Sequence, residues 1–113
     1  MNFDAVEFKS NPDFFFKEWL GLKPNTVRKL DLKDERFQKL SSGRAHFIQI
    51  KEVGSNQAFV RRIMNVSFFE NWCIISWLHE EVCPACGHTS PLKQCETPGG
   101  LPELCMRCLN ARN

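Results

Sequence analysis

The stretch QAFVRRIMNVSFFENWCIISWL, residues 57–78, carries the densest strand signal in the chain. It consists of two runs rich in β-branched and aromatic residues, joined at Glu70-Asn71, and this pattern predicts two consecutive strands. Val60, Met64, Val66 and Phe68 are expected to share one apolar face of the first. Trp72 to Leu78 is the longest near-apolar run and reads as a buried strand, with Cys73 in the core. At seven residues it falls far short of the roughly 18 that a membrane span needs, and no membrane partner is expected.

Upstream, AHFIQIKEV predicts another strand, closed by the turn Gly54-Ser55-Asn56. DERFQKLSSG reads as a short helix: Asp34 caps it, Phe37 and Leu40 share a face, and Gly43 ends it. TVRKLDL, after Lys23-Pro24-Asn25, has strand character. Asn11-Pro12-Asp13 marks a helix start, with an N-cap, a proline at the first helical position and an acid at the positive end. That helix should run through FFFKEWL to Gly21. It either anchors the core or offers Phe14, Phe15 and Phe16 to a partner, because three consecutive aromatics cover much of its circumference. Residues 1–82 thus predict an α+β body, a small antiparallel sheet or partial barrel with one or two helices. The order strand, helix, Gly, strand over residues 26–53 resembles the layout of ASCH and PUA-like RNA-associated barrels. Those families carry a charged pattern after the glycine, where this chain reads GRAHFIQI.

Downstream, CPACGHTSPLKQCETPGGLPELCMRC, residues 83–108, holds five of the six cysteines. The start of the chain, MNFDAVEFKS, is mixed and acidic, unlike a secretory signal. An intracellular, cytoplasmic location is therefore expected, where clustered thiols stay reduced and more often bind metal than pair as disulfides. Cys83 and Cys86 form one CxxC turn and Cys105 and Cys108 a second, 18 residues on. Each turn suits two corners of a tetrahedron about 2.3 Å from Zn²⁺, and together they supply all four. Iron is chemically allowed by the same thiolates. A thioredoxin-type redox pair leaves the second CxxC unexplained.

Gly87 follows the first pair as in a knuckle, while LCMRCLNARN continues the second in a helix-compatible way. Residues 83–113 therefore predict a treble-clef zinc finger. The spacing resembles GATA-type fingers and the four-cysteine finger of DksA and TraR, proteins that bind RNA polymerase. It is also similar to the treble clef of HNH nucleases. That resemblance implies a catalytic His near the position that Cys95 occupies, and His88 lies only two residues past Cys86. Without a general-base His the nuclease mechanism lacks its water activator, so nuclease activity is the weakest of these readings. A GATA finger implies a basic tail, yet only Arg112 follows Cys108.

The net charge of +2 is unevenly distributed. Residues 21–64 carry ten bases and four acids, giving +6, while the segments on either side each carry −2. Arg28, Lys29, Lys33, Arg36, Arg44, Arg61 and Arg62 are the candidate nucleic-acid contacts. No catalytic constellation and no small-molecule site stands out. The sequence therefore predicts a non-enzymatic, zinc-binding regulatory protein, with a role in transcription regulation, that associates with DNA or RNA through residues 21–64. The alternative is an adaptor that docks on a larger complex such as RNA polymerase through its finger and Phe-rich helix.

Overall fold

A computed structural model describes residues 4–82 and 89–91. The elements are β1 (Ala5–Ser10), α1 (Pro12–Trp19), β2 (Asn25–Lys29), α2 (Glu35–Ser41), β3 (Phe47–Glu52), β4 (Ala58–Phe69), β5 (Trp72–Trp77), β6 (Glu80–Val82) and β7 (Thr89–Pro91). The two helices begin as their caps dictate. Asn11 Oδ1 accepts from the Phe14 N–H at 3.0 Å, and Asp34 Oδ1 from the Arg36 N–H at 2.9 Å. Each helix gives way to a glycine at positive φ, Gly21 at 81° and Gly43 at 74°, a backbone region that costs side chains with a Cβ about 1–2 kcal/mol.

Five strands form one curled sheet in the order β1-β3-β4-β5-β2. The sheet is mixed, which corrects the antiparallel expectation. β1, not foreseen as a strand, pairs parallel to β3 in the register Ala5↔Phe47 to Ser10↔Glu52. The remaining neighbours are antiparallel. β4 spans both halves of the sheet: Ala58–Arg62 pair with β3, and Ile63–Phe69 with β5. The register shifts between Ile63 and Asn65, a bulge that bends the strand and accounts for the curl.

The bulge also reverses which side chains point inward. Phe59, Arg61 and Ile63 face the helices before it, Val66 and Phe68 after it. Val60 and Met64 consequently do not share a face with Val66 and Phe68, contrary to the sequence pattern. Met64, at the extra residue, is exposed.

The inner face carries the core: Phe8, Ile48, Ile50, Phe59, Ile75 and Trp77 are all buried, with Cys73 among them as expected. α1 closes it through Phe15, whose ring centroid lies 5.3 Å from that of Phe59, and α2 through Leu40 and Phe37, the latter 5.6 Å from Phe68. β5 is buried on one face only. Cys73, Ile75 and Trp77 point in, whereas Trp72 and Ile74 point to solvent. β6 and β7 pair antiparallel with Val82 opposite Thr89, and β6 packs against β4. The expected zinc ligands Cys83, Cys86, Cys105 and Cys108, with His88 and Cys95, lie outside the described residues.

Candidate functional site

β1 and β2 are the outer strands of the curled sheet, and side chains bridge the gap between them. Alternation along β2 turns Thr26 and Arg28 inward and Val27 and Lys29 outward. Arg28 Nη2 donates to Ser10 Oγ on β1 at 2.9 Å, and its Nε donates to Thr26 Oγ1 at 2.9 Å. The guanidinium carbon stands 5.2 Å from the Phe8 ring centroid. Arg36, from α2, approaches the same ring at 4.7 Å. Each contact is a cation–π pair, and a guanidinium so held is fixed in orientation before any ligand arrives.

The two arginines are poised differently. Arg36 is largely neutralised: Nε and Nη2 donate to Asp34 at 3.1 and 2.8 Å, and Nη1 donates to the Glu7 carbonyl at 3.1 Å. This bidentate pair holds the Asp34 carboxyl below its ordinary range and raises the Arg36 guanidinium above its own. Arg28 is half-buried, and burial pulls its pKa down; Glu18 opposes that shift and Arg36 adds to it. A partly desolvated cation of this kind gains more than a solvated one from an incoming anion.

Glu18 forms the floor. It stands three residues after Phe15 on α1, so both fall on the buried face of the helix, and it is 1% exposed. Ser10 Oγ donates to its Oε1 at 2.7 Å and Lys23 Nζ to its Oε2 at 3.3 Å. Lys23 Nζ also donates to the Asn25 carbonyl at 2.9 Å and lies 5.5 Å from the centre of the Phe14 ring. These groups, with Lys9 and Asn11, line a cavity of about 440 Å³ between β1, α1 and β2. Three cations (Lys9, Lys23, Arg28) against one carboxylate leave its walls at +3 − 1 = +2.

Of the basic residues singled out in the sequence, Arg28 and Arg36 are brought together; the others are not. Arg61 is the clearest correction. It is 1% exposed, its ring contact is with Phe59 at 4.7 Å, and Nη1 and Nη2 donate to the carbonyls of Val60 and Trp19. It faces α1, whereas Arg62 beside it on the strand faces solvent, so the pair cannot form one surface. Phe15 is likewise interior, and of the three phenylalanines only Phe14 and Phe16 remain exposed. Lys29 sits on the opposite face of β2 from Arg28, with its ammonium 5.7 Å from the Trp72 ring centroid. Lys33 and Arg44 lie on exposed connections, where Arg44 Nε donates to Ser42 Oγ at 3.0 Å. Sequence reasoning assigned no site role to Ser10 or Glu18, although the Phe15/Glu18 spacing was there to be read.

Among the described residues no three His, Cys, Asp or Glu side chains cluster to hold a metal, and no helix is long and apolar enough to cross a membrane. The buried Cys73 thiol is pushed up by desolvation. No model of a protein family matches the chain, and no curated protein was found to resemble it.

Proposed function

We propose that the chain is a non-enzymatic, zinc-binding regulatory protein that associates with nucleic acid. In this reading a phosphate enters the cavity between the two outer strands and meets Lys9, Lys23 and Arg28. The observation that carries the reading is Arg28: its orientation is fixed by Ser10, Thr26 and Phe8, and it is partly desolvated at the wall of a cavity with net positive charge. Counterion release on phosphate binding makes such association strongly salt-dependent.

Zinc is assigned to Cys83, Cys86, Cys105 and Cys108 from their spacing, supported by the β6–β7 pairing, which sets Val82 and Thr89 opposite each other on either side of CPACGH. Its role is to hold together a segment too short to bury a core of its own. Metal analysis of the purified chain should give one zinc per molecule, lost in Cys83→Ser and Cys108→Ser. An iron content instead would correct the metal while keeping the ligands.

The nucleic-acid reading is tested by fluorescence anisotropy against single-stranded and duplex oligonucleotides at two salt concentrations. Lys9→Ala combined with Arg28→Met should lower the salt slope by about 0.7–0.9 for each phosphate contact removed. An unchanged slope in that variant would sink the reading. Phe14 and Phe16, both exposed on α1, with the cavity-lining Lys23 against Phe14, favour a second reading in which α1 docks on a protein complex. Loss of partner binding in Phe16→Glu, with nucleic-acid affinity untouched, would support it.

A further inference from the structure

The curled sheet also has an outer face. On β2, β5 and β4 the outward side chains stand in register rows. Lys29 lies opposite Trp72 and Trp72 opposite Phe69; one step along, Val27 lies opposite Ile74. The four apolar members are all open to solvent, Phe69 at 69% and Val27 at 51%, Trp72 at 41% and Ile74 at 40%. No carboxylate occupies any of the nine outward positions at which β2, β5 and the second half of β4 stand in register, and the only charge among those nine is the Lys29 ammonium, packed 5.7 Å from the Trp72 ring. The row beyond Val27 and Ile74 consists of amide and hydroxyl side chains, neutral donors and acceptors.

We infer that this face is a stacking platform for the bases of single-stranded nucleic acid, with Trp72 and Phe69 as the stacking rings and Lys29 as the phosphate contact beside them. The inference rests on the nucleic-acid reading above and names its polymer. Flat aromatic rings on a strand surface meet the π-face of a base only when that base is unstacked, which a duplex does not offer. Register positions that carry one cation and no acid suit a polyanion, and neutral amides and hydroxyls can meet base edges without selecting one base. Such a platform is tolerant of sequence, because every base has a π-face.

The test uses the full zinc-loaded chain with a labelled 12-nucleotide single strand and the corresponding duplex. Wild type should prefer the single strand. Trp72→Ala and Phe69→Ala should each weaken single-strand binding by about tenfold, leaving duplex affinity and the salt slope unchanged. Trp72→Phe, which keeps a ring, should retain most of the affinity, and so separates stacking from any loss of fold. If Trp72→Ala and Phe69→Ala bind the single strand as wild type does, or if wild type binds both polymers equally, the platform is overturned while the cavity reading survives. If wild type binds neither polymer at low salt, both readings fail together. Self-association of wild type that is abolished by Trp72→Glu would assign the face to a second copy of the chain and overturn the inference.

Discussion

From Ala58 to Arg61, β4 is buried at every residue; from Asn65 to Phe69 no residue is fully buried. The first half pairs with β3 and has Phe15 of α1 on its inner side, and β6 packs against the strand. Among the described residues the second half has β5 as its only strand neighbour, α2 meets one side of it through Phe37, and the side chains of the other side are exposed. One strand thus serves as core at one end and as surface at the other, and the bulge at Ile63/Asn65 is the boundary. Two residues of the same chemical type at the two ends should therefore behave very differently.

Phenylalanine gives the widest contrast. Phe59→Ala removes a ring packed on Phe15 and Trp77 and should cost about 3–5 kcal/mol, against about 0.5 kcal/mol or less for Phe69→Ala, both read from urea melts. Equal losses would mean that the exposed end is covered in solution. Arginine gives the next. Arg61→Ala abandons the carbonyls of Val60 and Trp19 and should cost about 2–3 kcal/mol, while Arg62→Ala should fall within about 0.5 kcal/mol.

Gly21 extends the comparison to what lies beside the buried half. A Cβ there would stand 3.0 Å from His79 Nδ1 on a backbone at φ +81°, so Gly21→Ala should cost at least about 1–2 kcal/mol. His79 itself is held neutral. Burial first and the Arg61 charge second lower its pKa below the ordinary histidine value, and its Nδ1 has no hydrogen-bond partner among the described residues. The unfolded chain therefore takes up the proton first. Stability should be full above the ordinary histidine pKa and fall as pH drops through it, levelling off below the folded value. Melts at pH 7.5 and 5.5 should show this loss in wild type and a smaller one in His79→Gln. The smallest effect belongs to the open end. Glu70 closes the β4–β5 turn at φ 55°, a conformation that asparagine tolerates better, and Glu70→Asn should add about 0.5 kcal/mol.

Local signals in the sequence foretold local structure. The caps at Asn11 and Asp34, the glycines that follow both helices and the strands in residues 47–77 all stand where their residues predict. What was hidden depends on distant parts of the chain. β1 alternates Val6, Phe8 and Ser10 against Glu7 and Lys9, but six residues alone do not announce a parallel pairing with β3. The bulge, invisible in composition, inverted the expected face of Val60 and Met64. Arg61 and Arg62 were grouped as one surface although neighbours on a strand point opposite ways, so that error was avoidable. The cavity was unreadable for another reason: Lys9, Glu18, Lys23 and Arg28 come from β1, α1, the connection after it and β2, and only the curl of the sheet assembles them.

The parallel β1–β3 pairing also governs the order in which the chain can be built. Ala5 meets Phe47 across 47 − 5 = 42 residues, whereas Phe69 meets Trp72 across 72 − 69 = 3. Closing the longer loop costs about 2 kcal/mol more in chain entropy, so the β4–β5 hairpin can form while β1 still waits. During synthesis at about 5–20 residues per second, β1 is made roughly 2–8 s before its partner. Through that interval Val6 and Phe8 lack Ile48 and Ile50, the β3 residues they stand against in the finished sheet. β1 is thus among the last strands to dock, and Arg28 receives its Ser10 partner only when that docking is complete.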